Sequence, residues 1–105
     1  MTKEVDMPIA CTLKSEEFHR RECEVQEGLM SRVIERVETD EGYAYWFAAD
    51  VMPDIAEFID LERQCCPFLD FRLSVPRGGG EVLLELFGPA GAKEFIGKTF
   101  RPAAV

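Results

Sequence analysis

The hydrophobic pattern changes period along this chain, and the changes mark its elements. Leu69, Phe71, Leu73 and Val75 alternate with Asp70, Arg72 and Ser74, a period of two that predicts a half-buried strand. Pro76-Arg77-Gly78-Gly79-Gly80 reads as a turn, and Val82, Leu84 and Leu86 alternate with Leu83, Glu85 and Phe87 in a return strand. An earlier stretch behaves alike: Ser31 to Glu38 alternates, Thr39-Asp40-Glu41-Gly42 turns, and Tyr43 to Ala48 is aromatic and extended, which predicts a second hairpin. The apolar run Pro8 to Leu13 predicts one more strand at the front.

Two segments carry the helical period instead. Ser15 is placed to cap a helix that opens with Glu16 and Glu17, where carboxylates suit the positive end of the helix dipole. Phe18, Glu22, Val25 and Leu29 form its thin inner face, and Gly28 predicts its end. Asp50 is expected to cap a second helix, with Pro53 and Asp54 in the first turn. Its stripe runs Ile55, Phe58, Ile59, Glu62 and Cys66, with Leu61 and Cys65 on the flank. Pro67 stops it and pushes Cys66 towards extended geometry. Gly88-Pro89-Ala90-Gly91 ends the last strand, and Ala92 to Phe100 predicts a short final helix.

The predicted order is β-α-β-β-α-β-β-α. It implies an α+β fold: a single-layer antiparallel sheet of about five strands with two main helices on one face. Residues 8–100 are read as one domain, with residues 1–7 and 101–105 expected to fray.

Composition narrows the function classes. A chain of 105 residues with 47% hydrophobic residues can build a core without disulfides. The net charge of −8 argues against nucleic acid and against an anionic membrane surface, since both are met by cationic patches. No apolar run approaches the ~18–20 residues that span a bilayer, and the first residues lack a secretory apolar region, so the expected location is the cytoplasm. Cys11, Cys23, Cys65 and Cys66 are read as thiols. Neighbouring Cα atoms stand only about 3.8 Å apart, which suits a disulfide between Cys65 and Cys66 poorly.

The chemically pointed segment is Glu62-Arg63-Gln64-Cys65-Cys66-Pro67-Phe68. Glu62 sits on the stripe that should face the core, where a carboxylate is costly unless paired or bound to a metal. Thiolates suit zinc, copper(I) and other soft ions. Glu62, Cys65, Cys66 and Cys11 are therefore the candidate metal ligands, and zinc or another soft ion is the candidate cofactor. His19 is a further imidazole, expected to be exposed on the first helix. The plain alternative is that the cysteines pack as small apolar side chains and that Glu62 pairs with an arginine such as Arg72. On that alternative the domain is a structural or interaction module, with a homodimer formed through a sheet edge or the aromatic hairpin. A thiol redox protein is the third alternative. A helix C-terminus carries partial negative charge and disfavours an activated thiolate. The chain has one histidine, no CxxC, no HExxH and no Walker pattern, so nothing marks it as an enzyme.

Cys11-Thr12-Leu13, the Glu62 to Phe71 segment and Gly88 to Phe95 together resemble a group of small bacterial proteins of unassigned activity. Similar segments occur fused to regulators resembling the mercury-responsive family. The resemblance covers about Ile9 to Ile96 and implies a suspicion of metal binding at Cys11, Glu62, Cys65 and Cys66. The chain has no helix-turn-helix segment, so the resemblance implies a stand-alone sensor or buffer.

Overall fold

A computed structural model describes Ile9 and residues 14–103. Within them the fold is α+β. Helix α1 spans Glu16–Met30, strands β1 and β2 span Glu35–Glu38 and Gly42–Phe47, and helix α2 spans Met52–Cys65. Strands β3 and β4 follow over Asp70–Ser74 and Val82–Phe87, and helix α3 over Ala92–Thr99. The described sheet has four antiparallel strands in the order β1-β2-β4-β3, not five. The expected first strand, Pro8 to Leu13, lies outside the described residues except for Ile9, which is in a bend.

The alternation read from the sequence sets the two faces of the sheet. Tyr45 and Phe47 on β2 stand opposite Leu84 and Val82 on β4, and all four are fully buried with Leu86. The helices pack on this face, against Ile55 and Phe58 of α2 and Ile96 of α3. β3 is an edge strand: Phe71 and Leu73 are half-buried, and Val75 lies beyond its end, 56% exposed. No helix among the described residues is long and apolar enough to cross a membrane.

Several local expectations shift. Ser15 does cap α1, its hydroxyl oxygen accepting from the Phe18 N–H at 3.2 Å. The helix runs past Gly28 to Met30, because Leu29 and Met30 are buried and hold its last turn against the core. That extra turn, with the Ser31-Arg32 turn after it, shortens the first strand to Glu35–Glu38. Asp50 makes no capping bond; a single 3-10 turn over Ala49–Val51 leads into α2, and buried Val51 occupies the junction. Beyond α3 the chain returns to α1, where the Ala103 N–H donates to the Met30 carbonyl.

The end of α3 is fixed by the sheet. The Arg36 Nη1 donates to the carbonyls of Gly97 and Phe100 at 3.1 and 3.2 Å, supplying partners to the orphan carbonyls of a helix C-terminus. The same guanidinium lies 4.5 Å from the Tyr43 ring centre. The Tyr45 hydroxyl donates to the Phe100 carbonyl at 2.6 Å, with the ring fully buried. Edge-to-face contacts run from Phe58 to Phe100, Phe100 to Phe95 and Phe95 to Phe68, joining α2, α3 and the segment after α2.

Two glycines make the close approaches possible. A Cβ at Gly42 would run into the Leu86 carbonyl across the β2–β4 pairing, and one at Gly97 would come within 2.7 Å of the Tyr43 hydroxyl. Gly42→Ala is expected to cost about 1–3 kcal/mol, the usual cost of overpacking, because a backbone atom cannot step aside. Urea denaturation measures it. Tyr45 supplies a pH-dependent test. Burial pushes its phenol up to about 12, against the opposing pull of Arg36. In the unfolded chain a tyrosine titrates near 10. The stability that depends on the neutral phenol is therefore whole below about pH 10 and is lost as pH rises through about 12. Tyr45→Phe should cost about 1 kcal/mol at neutral pH and flatten this alkaline loss.

Candidate functional site

The site sits at one end of the seam between α1 and α2, and the seam is antiparallel. Arg32, just beyond α1, pairs with Asp54 in the first turn of α2 at 2.6 Å. Arg21, further back along α1, pairs with Glu57 at 2.5 Å. The start of α1 consequently lies beside the end of α2. A cleft of about 350 Å³ opens at the Arg32 end, between Gly28, Leu29, Asp54 and Glu57, but both of its arginines are already engaged in ion pairs.

At the opposite end, His19 and Glu22 of α1 meet Cys65 of α2. One ligand atom from each, an imidazole nitrogen, a carboxylate oxygen and the sulfur, lie within 4.8 Å of one another. Helical spacing places His19 and Glu22 on one face, and the His19 Nδ1 is 3.9 Å from a Glu22 oxygen. The three differ in exposure. The His19 side chain is 43% exposed, Glu22 is 9% exposed and Cys65 is 3% exposed, so the group runs from solvent into the core.

The other candidates separate. Cys65 is the last residue of α2, and Cys66 has left the helix at φ −122° and ψ 77°, as expected before proline. Cys66 is buried and its thiol donates towards a Glu62 carboxylate oxygen at 3.9 Å. Its N–H also donates to the Glu62 carbonyl at 2.6 Å. Glu62 is 1% exposed, which agrees with the core-facing position read from the helical stripe. Arg72 is not its partner: that guanidinium lies on the outer sheet face, 3.5 Å from Glu85 and over the Phe87 ring. Cys11 lies outside the described residues. Cys23, expected beside the apolar face of α1, is exposed. Partial burial and the carboxylates of Glu22, Glu27 and Glu62 push its thiol up, the opposite of what an activated nucleophile needs.

Sequence reasoning thus named Cys65 and undervalued its two neighbours. Glu22 carried the same signal as Glu62, a carboxylate in an apolar stripe beside Val25 and Leu29. His19 carried none in the sequence, because its approach to Cys65 depends on how two helices pack.

A carboxylate on a packed seam is retained at a cost in stability. Glu22→Leu extends the Val25 and Leu29 stripe. It should raise the stability of the metal-free protein by roughly 1 kcal/mol, a Tm increase of about 4–8 °C in a domain of this size. Thermal denaturation with a chelator present checks this, and a lower Tm would contradict it.

Comparison with protein families, with curated proteins and with solved structures returned no match to this chain.

Proposed function

We propose that this domain binds or senses a soft or borderline metal ion through a thiolate at the α1–α2 seam. The observation that carries the reading is the Cys65 thiol, buried at a helix end, with His19 and Glu22 converging on it from the other helix. Three features support it. A bound cation converts a thiol to its thiolate outright, which the dipole at the end of α2 could not do. The same partial negative charge at that helix end favours a cation there. The net charge of −8 favours a cationic ligand and opposes nucleic acid. Glu62 and Cys66 form a buried pair behind Cys65 that holds the end of α2. Cys11, which lies outside the described residues, is a further candidate ligand on the sequence pattern alone.

A second reading has its own observation. The outer face of the sheet carries Val37, Trp46, Leu83 and Phe87, none of them fully buried, and exposes Ile34 beside the β1 edge. This supports a homodimer formed through that face and edge. Light scattering at high concentration decides it: a strict monomer removes it.

For the leading reading, zinc or cadmium at a hundredfold excess over Kd should stabilise the anaerobic protein by about 2.7 kcal/mol. That corresponds to a Tm rise of roughly 10–20 °C. Cys65→Ser should lose the rise. An equal shift in both proteins, or none in either, ends the reading.

A further inference from the structure

The seam site joins two elements that are held very differently, and the difference decides what a bound ion does to the fold. Resting on the metal reading above, we infer that loading the seam orders the first two turns of α1, residues 16–22, against the end of α2. Without the ion these turns open locally while the rest of the fold stays closed. Metal occupancy is then read out as the order of one exposed helix start.

The α2 side is anchored. Cys65 is the last residue of that helix, and the chain beyond it runs into the core, where Cys66, Phe68 and Leu69 are all buried. The Leu69 N–H donates to the Cys66 carbonyl at 3.1 Å, and the Phe68 ring meets Phe95 edge to face at 5.0 Å. Cys65 cannot move far without disturbing that anchor.

The α1 side is held lightly. Between Ser15 and Arg21, Phe18 and His19 are half-buried and the other residues are exposed. Burial begins at Glu22 and continues with Val25, Leu29 and Met30. Polar bonds also favour the later half: the Gln26 amide donates to the Thr99 carbonyl at 2.8 Å, and the Met30 carbonyl accepts from the Ala103 N–H at 3.3 Å. The start of the helix has the half-buried Phe18 packed against the core, the Ser15 cap and the exposed Arg21–Glu57 pair, each a modest support. Helical turns gain most of their stability from a packed apolar face, and these turns have little of one.

His19 and Glu22 stand on the lightly held stretch, and Cys65 on the anchored one. Their i, i+3 spacing puts the imidazole and the carboxylate on one face only when the turn between them is formed. Opening that turn withdraws both ligands at once. The ion therefore binds the closed arrangement far better than the open one, and that differential affinity is what shifts the equilibrium. Ordering of a segment by a bound ligand is an established way to build a switch. The surface fixed by it carries Glu16, Glu17 and Arg20, all exposed.

Amide hydrogen exchange of the anaerobic protein, with and without zinc, reads this directly, with Tm recorded alongside. In the metal-free protein the amides of residues 19–23 should exchange at least about tenfold faster than those of Leu29 and Met30, because they open locally. At free zinc about a hundredfold above Kd they should slow by about a hundredfold, since every opening that breaks the site must release the ion. The Thr39 N–H, bonded to the Gly42 carbonyl in the β1–β2 turn, should exchange equally in both states. Cys65→Ser should lose the slowing. So should His19→Ala, which replaces a solvent-accessible residue by the best helix former and leaves the fold intact. Where zinc raises Tm, two results would overturn the inference alone: residues 19–23 as slow as Leu29 and Met30 before zinc is added, or no slower after it. No rise in Tm and no slowing anywhere would overturn the inference and the metal reading together.

Discussion

Proline at position 67 cannot continue α2, and it denies helical geometry to the residue before it. Much of the local architecture depends on that stop. Cys65 remains on the helix, facing α1, while Cys66 turns into the core and returns its thiol to Glu62 one turn back. Phe68 and Leu69, both nearly buried, then anchor the exit, and the Leu69 N–H donates to the Cys66 carbonyl before β3 begins. Two adjacent cysteines thereby receive different surroundings. One joins a group with an imidazole and a carboxylate, and the other serves the helix end.

The seam that Cys65 faces is held from its far end. Arg32 with Asp54 and Arg21 with Glu57 are exposed ion pairs, each contributing little alone, but both fix the antiparallel direction. The deeper hold is apolar. Val25 and Leu29 of α1 and Ile55 and Phe58 of α2 share one core with the sheet, and the Phe58–Phe100 contact ties α2 to the end of α3. Against this background Glu22 and Glu62 are local conflicts with the packing rule. Such conflicts concentrate at functional sites, where stability is traded for chemistry. That Glu22 meets Cys65 while Glu62 takes the thiol of the adjacent Cys66 is what turns a packing anomaly into a metal hypothesis.

The strands were legible because a period of two is written directly into Val82, Leu84 and Leu86, and the pairing of β2 with β4 only confirms which face they fill. The stripe of α2 was legible for the same reason, Glu62 included. Helix ends were less so. Asp50 looked like a cap, yet Val51 fits the junction, and Gly28 looked like a terminator, yet two buried residues follow it. Contacts between elements beyond the two hairpins were not legible. Nothing local in the sequence says that His19 meets Cys65, that Arg36 closes α3, or that Arg72 spends its charge on the outer face rather than on Glu62. Those follow from the packing angle of helices and the handedness of the sheet, which a linear pattern does not contain.

The central claim is that the end of the α1–α2 seam is a cation site built around Cys65. Anomalous diffraction from crystals of the zinc-loaded protein tests it most directly. The account predicts one strong peak about 2.3 Å from the Cys65 sulfur, with His19 and Glu22 at about 2.0–2.2 Å. A zinc-loaded crystal with no peak at the seam, and with the Cys65 thiol packed against carbon alone, would contradict it.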